Sequence, residues 1–394
     1  MQSNLAELNV MVSGLAFTSR TETLENYLKD KVKSLNVILI SSCFLKDNLS
    51  SCRAYEKGVF KNEFRLPNFR IKDYKWYRQP LILLVFVTNW LSIIFTILRL
   101  RKKFDLFIGV SHSFSLIGIL LKKLGIVKKV IYYCIDYYIP EDKKNFNSYF
   151  VRAINIIERF IARNADYIWD ISSNIPEYRE KIGKVKKASY KNVIVPLGYS
   201  NHLRVSAFVK EFNRWDIGFI GTITPNQGLQ LLVETMPLVI EKFPQIKVKI
   251  IGHGPFADEL KLVVYEKGLT GYFTFFGFIK EEEKALGILR QCAAGVALWS
   301  DSVENKNIMC ADPGKTKLYA LCGLPMIITR CSISDEIKDK GAGVVVEYDV
   351  SSLKDGISYI MEDEERLKKI RENSFNLGET YISDNIFDNA FKVF

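Results

Sequence analysis

From residue 217 onward, short apolar runs alternate with longer amphipathic stretches. The runs are IGFIGTI (217–223), IKVKII (246–251), YFTFFG (272–277), GVALWS (295–300), MIIT (326–329) and GVVVEY (343–348). Between them lie helical patterns such as QGLQLLVETMPLVIEKF (227–243), a helix around 255–267, EEEKALGILRQ (281–291) and a short helix near 333–340. Apolar runs too short to be helices, separated by amphipathic helices, predict parallel strands covered on both faces. The first half repeats the theme with LNVMVS, NVILIS, FDLFIGV, KKVIYYCI, DYIWDIS and NVIVPL as strand candidates. The expected fold class is therefore α/β, with two Rossmann-like doubly wound domains.

At 394 residues the chain exceeds one typical core, which also points to two domains. The pattern places them at 1–200 and 201–375, with the boundary in 198–215 just ahead of the first strand of the second half. The charged, helical end of the chain closes on IFDNAFKVF, and 376–394 is expected to pack back on the first domain as a tail. Residues 43–79 are basic, aromatic and without clear periodicity, and are expected to form a long covering or functional loop. The run LILLVFVTNWLSIIFTIL (81–98) is nearly long enough to span a bilayer. Thr88, Asn89, Ser92 and Thr96 interrupt it, and basic, aromatic sequence flanks it. It fits a buried core helix, a helix lying on a membrane surface, or a true span, in that order.

Charge adds one constraint. The net charge of +11 suits anionic partners such as a nucleotide phosphate or an acidic lipid surface. No nucleic-acid motif accompanies it, so nucleic acid is not expected as a partner. The seven cysteines form no C-x-x-C pair, which predicts reduced, buried thiols in a cytosolic protein and no zinc site. With three histidines, no histidine-based metal site is expected. The N-terminus shows no basic region followed by an apolar core.

The densest chemistry lies in CADPGKTKLYALCGLPMIIT (310–329). Asp312 suits a helix cap, Pro313 the first helical position, and Gly314 the close approach of a ligand to backbone. Lys315 puts a cation in a first turn where free N–H groups already attract anions, so a phosphate is the simplest partner. The bland alternative is an ordinary capped helix between two strands. In open α/β sheets ligands bind beyond the carboxyl ends of strands. There stand Gly221, Thr222, Gln227 and Gly228 of GTITPNQG, Gly252 and Gly254 of GHGP, and Phe278 after YFTFF. Asp301 and Glu304 follow GVALWS. In the first half, Gly14 follows NVMVS, His112 follows FDLFIGV, and Asp136 follows VIYYCI, where it can meet an acceptor hydroxyl or simply cap a helix.

The succession GFIGTITPNQGLQLLVETM, IKVKIIGHGP, FTFFGFI, GVALW, DPGKTKLYALCGLPMIIT and GAGVVVEY resembles the C-terminal half of GT-B glycosyltransferases. It is nearest the retaining, family-4-like group, and NADYIWDISSNIPEYREKI resembles the segment before that family's linker. The resemblance implies two domains facing across a cleft, with a UDP- or GDP-linked sugar donor held mainly by the second. It implies a saccharide or lipid-linked acceptor held mainly by the first, and no metal or cofactor. It assigns Gly14 to a glycine loop, His112 to the donor sugar, Gly221 and Gly228 to the diphosphate loop, and Lys315 to a lysine of the donor motif. Two features depart from the family. Thr222 and Gln227 stand where arginine and lysine are frequent, and Cys310 and Leu318 stand where paired glutamates are expected. A hexosyltransferase of surface polysaccharide or glycolipid synthesis is the implied activity, cytoplasmic and peripheral on the inner face of the membrane. The missing glutamates keep a second hypothesis open, a non-catalytic protein that binds a nucleotide sugar or a partner. An epimerase of the same architecture ranks third, since it expects acidic and histidine catalytic groups in the second domain, where His253 is the histidine that follows a strand.

Overall fold

The computed structural model describes all residues except 1–4, 17–18, 42–49, 68–80, 142–144, 204–210 and 301–306, and no side chain is described at 19, 81–86 or 202. The chain forms two compact units, Met1–Gly198 with Ser383–Phe394, and Tyr199–Ile382.

The first unit runs β1 (Asn9–Leu15), α1 (Ser19–Leu28), β2 (Ser34–Ile40), β3 (Ser51–Glu56), β4 (Val59–Arg65), α2 (Leu81–Leu100), β5 (Phe104–Val110), α3 (His112–Lys123), β6 (Val127–Cys134), α4 (Phe146–Asn164), β7 (Tyr167–Asp170), α5 (Ile175–Lys181) and β8 (Asn192–Ile194). The second runs β9 (Asp216–Ile220), α6 (Leu229–Lys242), β10 (Lys247–Ile251), α7 (Ala257–Glu266), β11 (Phe273–Gly277), α8 (Glu282–Arg290), β12 (Ala294–Ala297), α9 (Gly314–Leu321), β13 (Met326–Thr329), α10 (Ser334–Asp339), β14 (Gly343–Val346), α11 (Val350–Met361) and α12 (Glu364–Glu379). A last helix, α13 (Ser383–Lys392), belongs to the first unit.

Every apolar run named from the sequence is a strand. The second sheet is wholly parallel in the order β11-β10-β9-β12-β13-β14. That is a doubly wound sheet whose strand order reverses between β9 and β12. The first sheet has the order β4-β3-β2-β1-β5-β6-β7-β8, with its reversal between β1 and β5. Burial explains why these runs were legible. β2 is buried at every position, and β12 and β13 likewise, so no polar alternation interrupts them.

The stretch 43–79 departs from expectation. Its described middle is a hairpin, with β3 antiparallel to β2 and β4 antiparallel to β3. Lys57 (φ 48°) and Gly58 (φ 80°) make the turn, both left-handed as a two-residue hairpin turn requires. β4 lies at the sheet edge with six of its seven residues exposed, which hides the apolar alternation that marks a strand.

The C-terminal return begins at Ser383, so residues 376–382 stay with the second unit. α12 is held there at close quarters. A Cβ at Gly378 would sit 2.6 Å from the Ala320 carbonyl, and Ser374 Oγ donates to Leu324 O at 2.7 Å. α13 packs aromatic rings on the first unit, with Phe387 5.1 Å from Tyr27 and Phe391 5.0 Å from Trp169, ring centre to ring centre. Tyr27 Oη adds a bond to Asp388 Oδ1 at 2.7 Å.

The first unit's core also encloses an ion cluster that the sequence pattern does not announce. Arg179 is fully buried and donates to Glu158 Oε1 (2.6 Å) and to both oxygens of Asp170 (2.6 and 2.8 Å). Asn192 Nδ2 donates to Asp170 as well (2.6 Å). Breaking such a pair strands the partner charges in a medium that solvates them poorly. Arg179→Met is therefore expected to lower unfolding stability by about 3–5 kcal/mol, read from denaturant midpoints. A change below about 1 kcal/mol would mean that water reaches the carboxylates.

Candidate functional site

The strand order sets where a ligand can sit. At a reversal the neighbouring helices leave on opposite faces, so the carboxyl ends of the two strands flank an open crevice. In the second unit those strands are β9 and β12, and Gly221 directly follows β9. Gly221 has φ 145°, and Gly252, just beyond β10, has φ 140°. Gly221 N donates to Ile251 O and Gly252 N to Gly277 O, which ties the three loop starts together. A Cβ at Gly252 would lie 1.9 Å from Gly221 O, and one at Gly254 would lie 2.2 Å from Ile223 O. Both distances are far inside van der Waals contact, so these two glycines are required for the loops to cross.

Residues 225–227 form a single tight turn, and Gly228 (φ 69°) leads from it into α6. Gln227 is thereby aimed at α9. Its Oε1 accepts a hydrogen bond from Lys315 Nζ. The same ammonium lies 4.3 Å from the Phe219 ring centre and 5.6 Å from that of Trp299. A Cβ placed on Gly221 would be 3.5 Å from Lys315 Cε and Nζ. The fold thus brings Gly221, Gln227 and Lys315 together from positions nearly a hundred residues apart. No carboxylate pairs with Lys315 among the described residues. Burial without an anion penalises its charge and lowers its pKa to about 7. By accessible surface the residue as a whole is half-buried.

Two parts of the DPGK expectation are corrected. Asp312 does not cap the helix. It is buried, and its Oδ2 accepts from the fully buried Lys317 Nζ at 2.5 Å. Lys317 points inward on the side of α9 away from the sheet-facing Tyr319, with its ammonium 4.7 Å from the Tyr381 ring centre, and Asp312 supplies the carboxylate it bonds. Pro313 is the cap residue rather than the first helical one, and it makes no side-chain cap bond. Thr316 Oγ1 instead donates to Pro313 O at 2.6 Å. Gly314, the first residue of α9, is half-buried, and its carbonyl accepts from Tyr199 Oη at 3.1 Å.

Thr222 is exposed at the loop tip, and Phe278, at 77% exposure, offers a free ring face beside Gly277. Cys310 is buried, while Leu318 packs on the apolar core of the second unit, so neither position holds a carboxylate. Asp301 and Glu304 lie outside the described residues. Phe219 and Trp299 are the members of the site that sequence reasoning missed. Both sit in or beside buried strands, where an aromatic ring reads as core.

In the first unit the reversal lies between β1 and β5, and His112 is the first residue of α3 after β5. Ser111 before it has φ 86° and ψ 164°, a conformation strained for any residue with a Cβ. Ser115 Oγ, 2.8 Å from Gly109 O and 2.9 Å from Ser111 O, braces the turn. His112 is half-buried and edge-on to Tyr138, with burial lowering its pKa to about 4. It is therefore a neutral hydrogen-bonding group near pH 7. Asp136 is exposed beyond β6. Gly14 is not part of a loop. It lies within β1 opposite Leu39, where a Cβ would come 2.4 Å from Thr21 Oγ1 of α1. The glycine serves close packing of helix on strand. All six described cysteines are free and buried.

The comparisons with known proteins agree with this topology. The family described as "Glycosyl transferases group 1" matches residues 214–363. HepE of Anabaena, solved with UDP, is 12% identical with a TM-score of 0.66, over 98% of this chain and 99% of that one. Sucrose-phosphate synthase of Thermosynechococcus elongatus is 12% identical with a TM-score of 0.69, over 98% of both chains. The lipopolysaccharide outer core galactosyltransferase WaaB, in its apo form, is 12% identical with a TM-score of 0.62, over 97% of both. No curated protein sequence matches the chain. The chain has the two-domain fold of GT-B glycosyltransferases, and its residues 214–363 are similar to the glycosyl transferases of group 1.

Proposed function

We propose that this protein transfers a hexosyl group from a UDP- or GDP-linked sugar to a hydroxyl of a saccharide or lipid-linked acceptor, with retention and without a metal or other cofactor. The observation that carries the proposal is Lys315. A buried ammonium with no described carboxylate partner stands against the glycine loop of a group 1 domain, at the first turn of α9. The neighbours HepE and sucrose-phosphate synthase share the fold, and HepE has been solved with UDP and with UDP-glucose.

The barrier to such a transfer lies in charge growing on the departing diphosphate. Lys315 and the free N–H groups of α9 present positive potential there before reaction begins. Gly221, Gly252 and Gly254 keep side chains out of the space the phosphates need. Phe278 stacks on the base, and Thr222 and Gln227 complete the polar lining. His112, neutral, orients the donor sugar, and Asp136 meets the acceptor hydroxyl. The product enters surface polysaccharide or glycolipid, and the enzyme works in the cytoplasm at the inner face of the membrane.

The alternative is a protein that binds the nucleotide sugar without turning it over. Its support is Leu318, which packs into the core at a place where the family resemblance expects a glutamate. Release of UDP or GDP from a panel of nucleotide sugars, with and without acceptor, separates the two. Sustained release supports transfer or hydrolysis, whereas tight binding with none supports the alternative.

Replacing Lys315 with Ala is expected to lower kcat by about 10²–10³, the scale of removing one preorganised charge-stabilising donor. Unchanged kcat would remove Lys315 from the leaving-group role. A second expectation follows from the lowered pKa. At pH 8 the free lysine is mostly neutral, while bound diphosphate favours the cation. UDP binding should then take up close to one proton, as measured by calorimetry in buffers of different ionisation heat. Affinity should weaken as pH rises above about 7. Lys315→Met should abolish the uptake, and zero uptake by the unaltered protein would place the diphosphate elsewhere.

A further inference from the structure

α2 leaves a broad apolar stripe in water. Leu98 (63% exposed), Leu91 (59%), Phe95 (52%) and Val87 (45%) face outward, while the inward face mixes Asn89, Ser92 and Thr96 with the buried Ile93 and Ile97. The outward positions 87, 91, 95 and 98 form one continuous stripe of an α-helix. Thr96 Oγ1 donates to Ser92 O at 2.7 Å, and Ser92 Oγ lies 2.6 Å from Pro67 O. Burying apolar side chains is favourable, and this stripe forgoes it along about three turns.

α4 repeats the pattern. Tyr149 (60%), Ile156 (64%) and Phe160 (37%) face outward, with Ala153 in the same stripe. Ser148, Asn155 and Glu158 face inward, and Asn155 Nδ2 donates to Tyr138 O at 3.2 Å. The two stripes are neighbours. An apolar pocket of about 220 Å³ lies between Val87 and Trp90 of α2 and Phe150, Ala153 and Ile157 of α4. An outward apolar face of this extent marks an interaction surface.

Charge selects its occupant. α2, α3 and α4 carry Arg99, Lys122, Lys123, Arg152, Arg159 and Arg163 against one acid, Glu158, which is buried on Arg179. Arg101, Lys102 and Lys103 follow α2 directly. Lys123 Nζ lies 5.0 Å from the Phe160 ring centre, at the margin of the stripe. Apolar side chains rimmed by cations match the interface of an anionic bilayer. A second copy of the chain would set these cations against one another. Among the described residues no helix is long and apolar enough to cross a membrane.

We infer that the outward face of α2 and α4 seats the first unit on an anionic lipid surface, with the two stripes entering the headgroup layer and the flanking arginines and lysines meeting lipid phosphates. The inference goes beyond the proposed transfer and does not require it. The test is co-sedimentation of the full chain with phosphatidylcholine vesicles, with and without 30% phosphatidylglycerol. Binding should be at least tenfold tighter with phosphatidylglycerol and should weaken as salt rises. Leu91→Ser/Phe95→Ser/Ile156→Ser should weaken it at least tenfold while UDP binding stays unchanged. Leu262→Ser/Tyr265→Ser, exposed apolar positions of the second unit, should bind vesicles as the parent does. If the triple variant misfolds by circular dichroism, Arg152→Glu/Arg163→Glu must show the loss instead. Any one of three results overturns the inference: no binding to either vesicle, equal binding by parent and variants, or a dimer in solution that the triple variant dissociates.

Discussion

One charge without a carboxylate partner among the described residues stands at the strand ends of the second unit. Lys315 is half-buried and held by Gln227 and the rings of Phe219 and Trp299, and desolvation lowers its pKa. Such an arrangement is unfavourable in itself, and folded proteins rarely keep it where nothing is gained. Here it lies where three strand ends converge. Two glycines allow loops to cross at distances that no Cβ tolerates, and a third, Gly221, leaves room beside the ammonium. A cation in a confined space beside a helix start offers the electrostatics that an anion requires, which is what the proposed function rests on.

The arrangement also accounts for the departures from the family pattern. The resemblance expects a lysine in the loop before the second glycine, where this chain has Gln227. In this chain Lys315 of α9 reaches that glutamine, which serves as its hydrogen-bond acceptor. The glutamate positions show no comparable replacement. Cys310 is buried and Leu318 faces the core, so any contact to the ribose in this chain comes from other groups.

The first unit is governed by different forces. Its core closes around Arg179, Asp170 and Glu158, and its outer helices turn polar groups inward and apolar ones outward. Inward polar faces are tolerable because the side chains bond to nearby carbonyls, as Thr96 and Asn155 do. The strained Ser111 sits at the reversal of this sheet, and it sets His112 at a strand end with little rotational freedom. Strain at the start of a helix is costly, and it survives where the surrounding bonds fix it.

Much of the architecture could be read from residues alone. Buried parallel strands show as unbroken apolar runs, because helices cover both faces and no position needs to be polar. That is why IKVKII, FDLFIGV and MIIT were legible as strands. The β3–β4 hairpin was not, because an edge strand exposed to water carries no such signature. Asp312 and Lys317 look like site residues five apart on a phosphate helix, yet only the packing direction of α9 decides that they neutralise each other in the interior. Gly14 likewise reads as a loop glycine, and only the approach of Thr21 explains it. The sequence alone determined that the chain forms two wound sheets and that glycines stand at the ends of their strands, since periodicity and glycine placement are local properties. Which lysine stays charged for a ligand, and which face of α2 meets the solvent, depend on what other segments bring near, and only the tertiary structure decided them.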